Sequence, residues 1–366
     1  MVSPSQIHFA LRRLPAICAR LWRNLLASVC TALVVGGCAA NRSGSVAVAP
    51  KPYVRVSETS PGIVKLEIAA RHFTPRRGKG PGIWLTGASH LGDAEYYRAL
   101  QAHLDARTLV LFEGVGGADV ERGPRLKSES APTSDAKPWS LQSQMAKALG
   151  LEFQLETIDY DRAHFQNSDL SIAELRALMT RPPAAATHAE SAGASAAART
   201  EAGRNFEQMM QIMQGESFLG RLMNLGLRWL GTQPRFQALA KFTLAEMINA
   251  VQGDLESVGG IPPSLQELLR VLIDERNQRV LTDVRRELPR LKAGDSVSIF
   301  YGAGHMRDLE LRLRQDLRYV PCDEVWFTAM TVNTAVAGLS AAELSTTRQM
   351  IQQQLQMMRA RAPRPP

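Results

Sequence analysis

Two four-residue motifs hold the side chains best suited to chemistry. Gly87-Ala88-Ser89-His90 and Gly302-Ala303-Gly304-His305 each follow a short apolar run and precede a helix-like one. The leading glycine lets the chain turn sharply off a strand, and the small residues after it keep the turn clear of bulk. In an open parallel sheet such turns lie beyond the carboxyl ends of the strands, where ligands bind. Glu113 closes the apolar run Thr108 to Phe112 and is expected on the same edge as His90. Two imidazoles and a carboxylate with an open position are the makings of a divalent-metal site. Glu113 could be a ligand there, or the base that deprotonates an attacking water. The blander alternative is that His90 and His305 cap helices or hydrogen-bond across a pseudo-symmetric core. Asp93 and Asp308, three residues past each histidine, are expected to cap the first helical turn.

Other chemistries find no support. The chain has no His-Glu-x-x-His, which a helical zinc peptidase would need. Ser89 lies in Gly87-Ala88-Ser89-His90-Leu91, where Leu91 replaces the second glycine of a nucleophile elbow, and the second motif has Gly304 at the serine position. Gly114-Val115-Gly116-Gly117 and Gly78-Lys79-Gly80 lack the spacing of nucleotide-binding loops.

The elements that must carry these motifs follow from periodicity. Ile63 to Ile68 alternates as a half-buried strand does, and Ile83 to Thr86, a helix from Asp93 to Leu104 and the run Thr108 to Phe112 make a βαβ unit with parallel pairing. Gly114 to Pro138 is irregular, Trp139 to Leu149 helical, and Leu151 to Ile158 strand-like. Asn167-Ser168-Asp169-Leu170-Ser171 reads as a helix start, with Asp169 a candidate for the site rim. Arg181 to Gly203 is alanine-rich and reads as a flexible joint. Asn205 to Val251 is helical, with a methionine-rich stripe that suits a core or a groove lining. Ser264 and Glu267 have capping-box spacing for a helix running to about Leu288. Ser296 to Tyr301, His305 to Leu317 and Val325 to Phe327 repeat the order strand, helix, strand, and Ser340 to Glu343 caps a final helix. The expected fold class is α/β, with duplicated strand-GxxH-helix halves in a central, largely parallel sheet over residues 61–330. A mainly helical insertion occupies about 165–260, a C-terminal helix 337–360, and a disordered tail 361–366.

The amino-terminal end sets the address. Residues 1–37 contain Arg12, Arg13, Arg20 and Arg23, no acid, an apolar run from Leu25 to Val35, and then Val35-Gly36-Gly37-Cys38. The run is too short to span a bilayer core and reads as a cleaved lipoprotein signal, with Cys38 as the acylated, palmitate-bearing first residue. An uncleaved anchor is the alternative. Ala39, rather than aspartate, favours the outer membrane with the domain in the periplasm, on a tether of residues 38–60. Cleavage lowers the formal net charge of +8 by those four arginines, and no basic stripe with interleaved aromatics is left for nucleic acid. Of the four cysteines only Cys322 then remains as a thiol, expected to pack as a small buried hydrophobe. Oligomeric state is not legible.

The paired Gly-x-x-His motifs, the strand ending in Glu113, the segment Asp274-Glu275-Arg276-Asn277 and the run Val297 to His305 together resemble the TraB/GumN family, which includes the TIKI metalloproteases. The likeness runs from about Trp84 to Phe327, loosely through the middle. It implies a duplicated α/β fold and peptide cleavage dependent on a manganese- or cobalt-like divalent ion, with zinc a further candidate. His90, Glu113 and His305 match the site positions, and Arg276 matches the arginine ahead of the second motif. Arg276 would steady negative charge on a carbonyl oxygen or bind a substrate carboxylate in its planar fork. The expected function is a lipid-anchored envelope hydrolase acting on a peptide or protein substrate. The alternative is a non-catalytic lipoprotein holding a peptide, haem or metal in the same cleft.

Overall fold

The computed structural model describes residues 49–114, 140–180, 200–208, 210–211, 218–251 and 263–360. The leader with Cys38, most of the irregular loop after Gly114, the alanine-rich joint and the tail 361–366 lie outside the described residues, as does His188. Among the described residues no helix is long and apolar enough to cross a membrane.

The architecture is mixed α/β around a central sheet. Its strands are β1 (Val54–Ser60), β2 (Ile63–Pro75), β3 (Gly82–Ala88), β5 (Leu109–Phe112), β7 (Phe165–Asn167), β8 (Ser296–Gly302) and β9 (Tyr319–Asn333), while β4 (Leu91–Gly92) pairs with β6 (Glu152–Phe153) in a separate ribbon. The parallel part runs β3, β8, β5, β7. On its other flank β2 lies antiparallel to β3, β1 and β9. In β3 and β8 six of seven residues are buried, which is the near-continuous apolar pattern of parallel strands covered on both faces.

Strand alternation assigns the two faces. Ile83 and Leu85 of β3, with Val297, Ile299 and Tyr301 of β8, form one core with Val280, Leu281 and Val284 of α7 (Arg276–Glu287) and Met306, Leu309 and Leu313 of α8 (Met306–Gln315). Each such side chain contributes about 1.5–3 kcal/mol on full burial. Trp84 and Thr86 point the other way and meet His103 of α1 (Ala94–Asp105). Thr86 also hydrogen-bonds Ser298 across the sheet at 2.7 Å. Further helices among the described residues are α2 (Ser140–Leu149), α3 (Ile172–Thr180), α4 (Phe218–Gly231), α5 (Pro234–Val251), α6 (Pro263–Leu269) and α9 (Ala341–Ala360). Phe242 of α5 and Leu344 of α9 join Val64 and Val332 in a second core.

Several local expectations are corrected. β1 starts at Val54, inside the stretch expected to be tether, because Val54 and Val56 find a ladder on β2. β3 and β5 are parallel, as a βαβ unit requires, but β8 is inserted between them. β9 spans fifteen residues, not three. Its first half is mostly exposed and interrupted by Pro321, Asp323 and Glu324, so hydropathy misses it, while the long β2 supplies its hydrogen-bonding partner. Leu151 to Ile158 keeps only a two-residue strand before a helical turn at Gln154–Thr157. The helix expected from Ser264 to Leu288 is interrupted by a π-helical segment, Arg270–Glu275. Ser264 sits inside α6, and Glu267 bonds Arg270 rather than closing a capping box. The box at Ser340 and Glu343 does form, with the Ser340 N–H donating to the carboxylate at 2.9 Å and the Glu343 N–H to the hydroxyl at 3.3 Å.

Candidate active site

The carboxyl ends of all four parallel strands deliver one member each. Ala88 of β3 lies opposite Gly302 of β8, and Gly87 opposite Tyr301, so the two histidine motifs leave neighbouring strands one residue out of step. His90 follows β3, and His305 follows β8 after a single 3-10 turn, Ala303–His305. Glu113 follows β5, fixed by its N–H donating to Phe300 O at 2.9 Å. Asp169 follows β7, where the Ser168 N–H donates to Phe112 O at 3.1 Å and Tyr301 Oη donates to Ser168 O at 2.6 Å. Arg276 and Asn277 enter from the first turn of α7, directly after the π-helical segment.

These groups converge on Gly302. A Cβ at that position would lie 3.3 Å from Glu113 Oε2, 3.6 Å from His90 Nε2 and 3.9 Å from His305 Cδ2. The missing side chain of Gly302 is therefore the cradle of the site. Gly87 is needed for a different reason, since a Cβ there would lie 2.9 Å from Ile68 Cγ2 and 3.1 Å from Ala69 O. The Gly302 N–H donates to Glu113 Oε2 at 2.6 Å.

Arg276, only 4% exposed, ties the cluster together. Nε and Nη2 donate to Asp169 at 2.8 and 2.7 Å, and Nη2 also donates to Glu113 Oε1 at 2.6 Å. Nη1 donates to Leu272 O at 3.2 Å and faces His305 Nε2 at 3.5 Å. A guanidinium has five N–H donors, and these contacts engage them all. Asp169 occupies the fork expected to take a substrate carboxylate, and the same guanidinium holds Glu113.

The charge states follow from this packing. Burial works to raise the Glu113 carboxyl, but the adjacent Arg276 guanidinium, with the Gly302 N–H, outweighs it and holds the group well below the usual carboxylate range. Burial pushes His305 down to about 3, against the pull of Glu113 and with the help of Arg276. At neutral pH the cluster thus contains an ionised Glu113 and an uncharged His305. Nε2 of His305 stands 3.8 Å from Glu113 Oε1.

Sequence inspection brought His90, Glu113, His305 and Arg276 forward, and the structure places all four together. Asp169, expected only at the rim, is a full partner of Arg276. Two residues had no assigned role: Gln154, whose Oε1 lies 3.2 Å from His90 Nδ1, and Asn277, whose Oδ1 lies 2.8 Å from His305 Nδ1. Asn277 was visible as the neighbour of Arg276, whereas nothing in the sequence marks Gln154. Neither aspartate caps its helix as expected. Asp93 accepts from Lys241 Nζ at 3.2 Å and the Thr331 N–H at 2.7 Å, and Asp308 from Asn277 and Arg312. Cys322 is exposed, not buried, with Sγ 3.2 Å from His72 Nδ1. His72 stacks on Trp84, and His164 packs edge-on against Phe165.

Among the described residues no three His, Cys, Asp or Glu side chains stand close enough to form a ready metal cluster. The donor types nonetheless suit a divalent cation: a carboxylate, an uncharged imidazole and a second imidazole around a cradle that a Cβ would fill. Each Glu113 oxygen has one of its two acceptor positions taken by the contacts above, leaving one on each. No family model matches the chain, and neither does any curated protein or solved structure.

Proposed function

We propose that the cluster at Gly302 is the centre of a metal-dependent hydrolase, lipid-anchored through Cys38 in the cell envelope and acting on a peptide or protein substrate. The observation that carries this is the approach of His90, Glu113 and His305 to one point beside Gly302. The near-register pairing of the two Gly-x-x-His strands supports duplicated halves, and with them the resemblance to the TraB/GumN family, in which peptide cleavage is the expected activity. His90 Nε2, His305 Nε2 and Glu113 would hold the divalent ion, manganese- or cobalt-like or zinc. Bound there, the ion supplies Lewis acidity toward a scissile carbonyl.

The chain's own groups have distinct tasks. Glu113, held ionised by Arg276 and the Gly302 N–H, is a poor proton acceptor at neutral pH, since an efficient base titrates near the working pH. It serves as an anionic ligand rather than as the base. The uncharged His305 has an Nε2 lone pair, which Arg276 Nη1 faces at 3.5 Å and which a bound ion would have to take over. Asp169 shares Arg276 with Glu113 and so fixes the guanidinium in the plane that steadies the ligand carboxylate.

The decisive experiment incubates the purified protein with a peptide library and added manganese or cobalt. Cleavage that a chelator stops, and that His305→Ala abolishes, is the expected result. Peptide or haem binding without cleavage would move the assignment to the non-catalytic lipoprotein, a reading favoured by the full engagement of Arg276. Absence of both cleavage and metal uptake would remove the site altogether.

A further inference from the structure

Each histidine of the site carries a carboxamide on its Nδ1. Gln154 Oε1 lies 3.2 Å from His90 Nδ1, and Asn277 Oδ1 lies 2.8 Å from His305 Nδ1. An amide oxygen only accepts hydrogen bonds, so the facing ring nitrogen must carry the hydrogen. The far end of the Asn277 amide sets its orientation. Asn277 Nδ2 donates to Asp308 Oδ2 at 2.8 Å, and Arg312 Nε donates to the same oxygen at 2.6 Å. Gln154 Nε2 donates to Tyr160 Oη at 3.0 Å, while the Gln154 backbone N–H donates to His90 O at 2.9 Å. At His305 the opposite nitrogen gives the same answer independently. Its Nε2 faces Arg276 Nη1 at 3.5 Å, and a guanidinium can only donate.

We propose that Gln154 and Asn277 are positioning residues that hold both histidines as neutral Nδ1–H tautomers, so that His90 Nε2 turns a bare lone pair to the Gly302 cradle while the Nε2 lone pair of His305 accepts from Arg276 Nη1. Free imidazole side chains favour the opposite tautomer, so the arrangement has to be imposed by the surroundings. A carboxamide imposes it without charge. A carboxylate in the same place would also accept from Nδ1 but would draw the ring toward imidazolium, which has no lone pair to offer. Both amides are buried, at 1% exposure for Gln154 and 0% for Asn277, so neither exchanges its partner for water. The two anchors come from unrelated places, a turn after β6 and the first turn of α7. What the lone pairs serve, ligation of a divalent cation, rests on the proposed function; the tautomers themselves do not.

The test is a two-bond proton–nitrogen correlation spectrum of the full protein with 15N-labelled imidazoles, at neutral pH with chelator present. His90→Gln and His305→Gln variants assign the signals. The expected spectrum shows hydrogen on Nδ1 and a bare Nε2 for both rings. Gln154→Ala and Asn277→Ala should each turn their own ring mainly to the Nε2–H form and weaken manganese or cobalt binding about 10- to 100-fold. Asn277→Asp should keep the Nδ1–H form. Hydrogen on Nε2 of either ring in the parent protein, or an alanine variant that retains the Nδ1–H form, overturns the proposal. Should an alanine variant not fold, the parent spectrum alone decides. If the tautomers are as stated but no ion binds and no peptide is cut, the hydrolase assignment fails while the amide lock stands.

Discussion

Replacing Arg276 with methionine removes the cation that Glu113 and Asp169 share while keeping most of the side-chain length. Glu113 would retain the Gly302 N–H, and Asp169 would retain the N–H groups of Gly114 at 3.1 Å and Leu170 at 2.7 Å. Both carboxylates would stay buried, with side-chain exposures of 8% and 1%. One unit-charge contact at ~4 Å and an effective dielectric of ~20 is worth about 4 kcal/mol, and breaking a buried pair from one side costs about 3–5 kcal/mol. Urea unfolding at pH 7 should therefore show a loss of that size. The sign of the pH dependence is a sharper check. In the parent, Glu113 titrates below its unfolded value, so its stabilisation is present above about pH 4.5 and fades as the pH falls further. In Arg276→Met burial loses its main opponent, keeping the Gly302 N–H against it, and raises the carboxyl, so the native state binds more protons than the unfolded state and stability falls as pH rises. The gap between the two proteins should narrow steadily from pH 7 to pH 4.5. A gap under about 1 kcal/mol at pH 7, or one that stays constant with pH, would refute the account of the cluster as a charge-compensated unit.

Further outcomes follow from the same geometry. Gly302→Ala is allowed by the backbone, with φ −50° and ψ 141°, but its Cβ would press on Glu113 Oε2 from 3.3 Å. It should cost about 1–3 kcal/mol and abolish metal uptake, checked by urea unfolding and metal analysis. An unfolding cost near zero with intact metal binding would show that the cradle is not tight. Burial holds His305 at about 3 and His103 at about 4, below their unfolded value of 6.5, so the unfolded chain takes up protons that the native one refuses. Stability should fall on acidification from about pH 6.5, by up to roughly 2.7 kcal/mol per pH unit for the two groups; a urea midpoint that is flat from pH 7 to pH 5 would contradict this. Cys322, being exposed, should be alkylated in the native protein, and Cys322→Ser should change stability by less than about 0.5 kcal/mol. Peptide mapping that finds Cys322 protected until denaturant is added would count against its placement.

The legible part of the molecule was the part with strong local signals. Buried parallel strands such as β3 and β8 are near-continuous apolar runs, and turn glycines close to histidines are conspicuous, so most members of the candidate cluster could be named from sequence. Sheet order could not. That β8 lies between β3 and β5 depends on packing between segments far apart in the chain, and no window of sequence reports it. The exposed half of β9 has no alternating apolar pattern, with Pro321, Asp323 and Glu324 in it, and becomes a strand only because β2 is there to pair with it. Asp169 reads as an ordinary helix-start residue until β7 brings it against Arg276. Gln154 is one glutamine among many, and its role exists only because its amide reaches the His90 ring.

The late position of β8 in the chain has a consequence for biogenesis. A ribosome releases β3 and β5 long before residues 296–302 emerge, and in the finished sheet those two strands never touch each other directly. Until β8 arrives, their facing edges are open, and open edges invite mispairing with other chains. His305, the cradle glycine and the arginine that restrains Glu113 all belong to the last third of the chain as well. A truncated chain would therefore expose sticky edges without the cluster at Gly302, and that cluster would appear in a single late step when the central strand slides home.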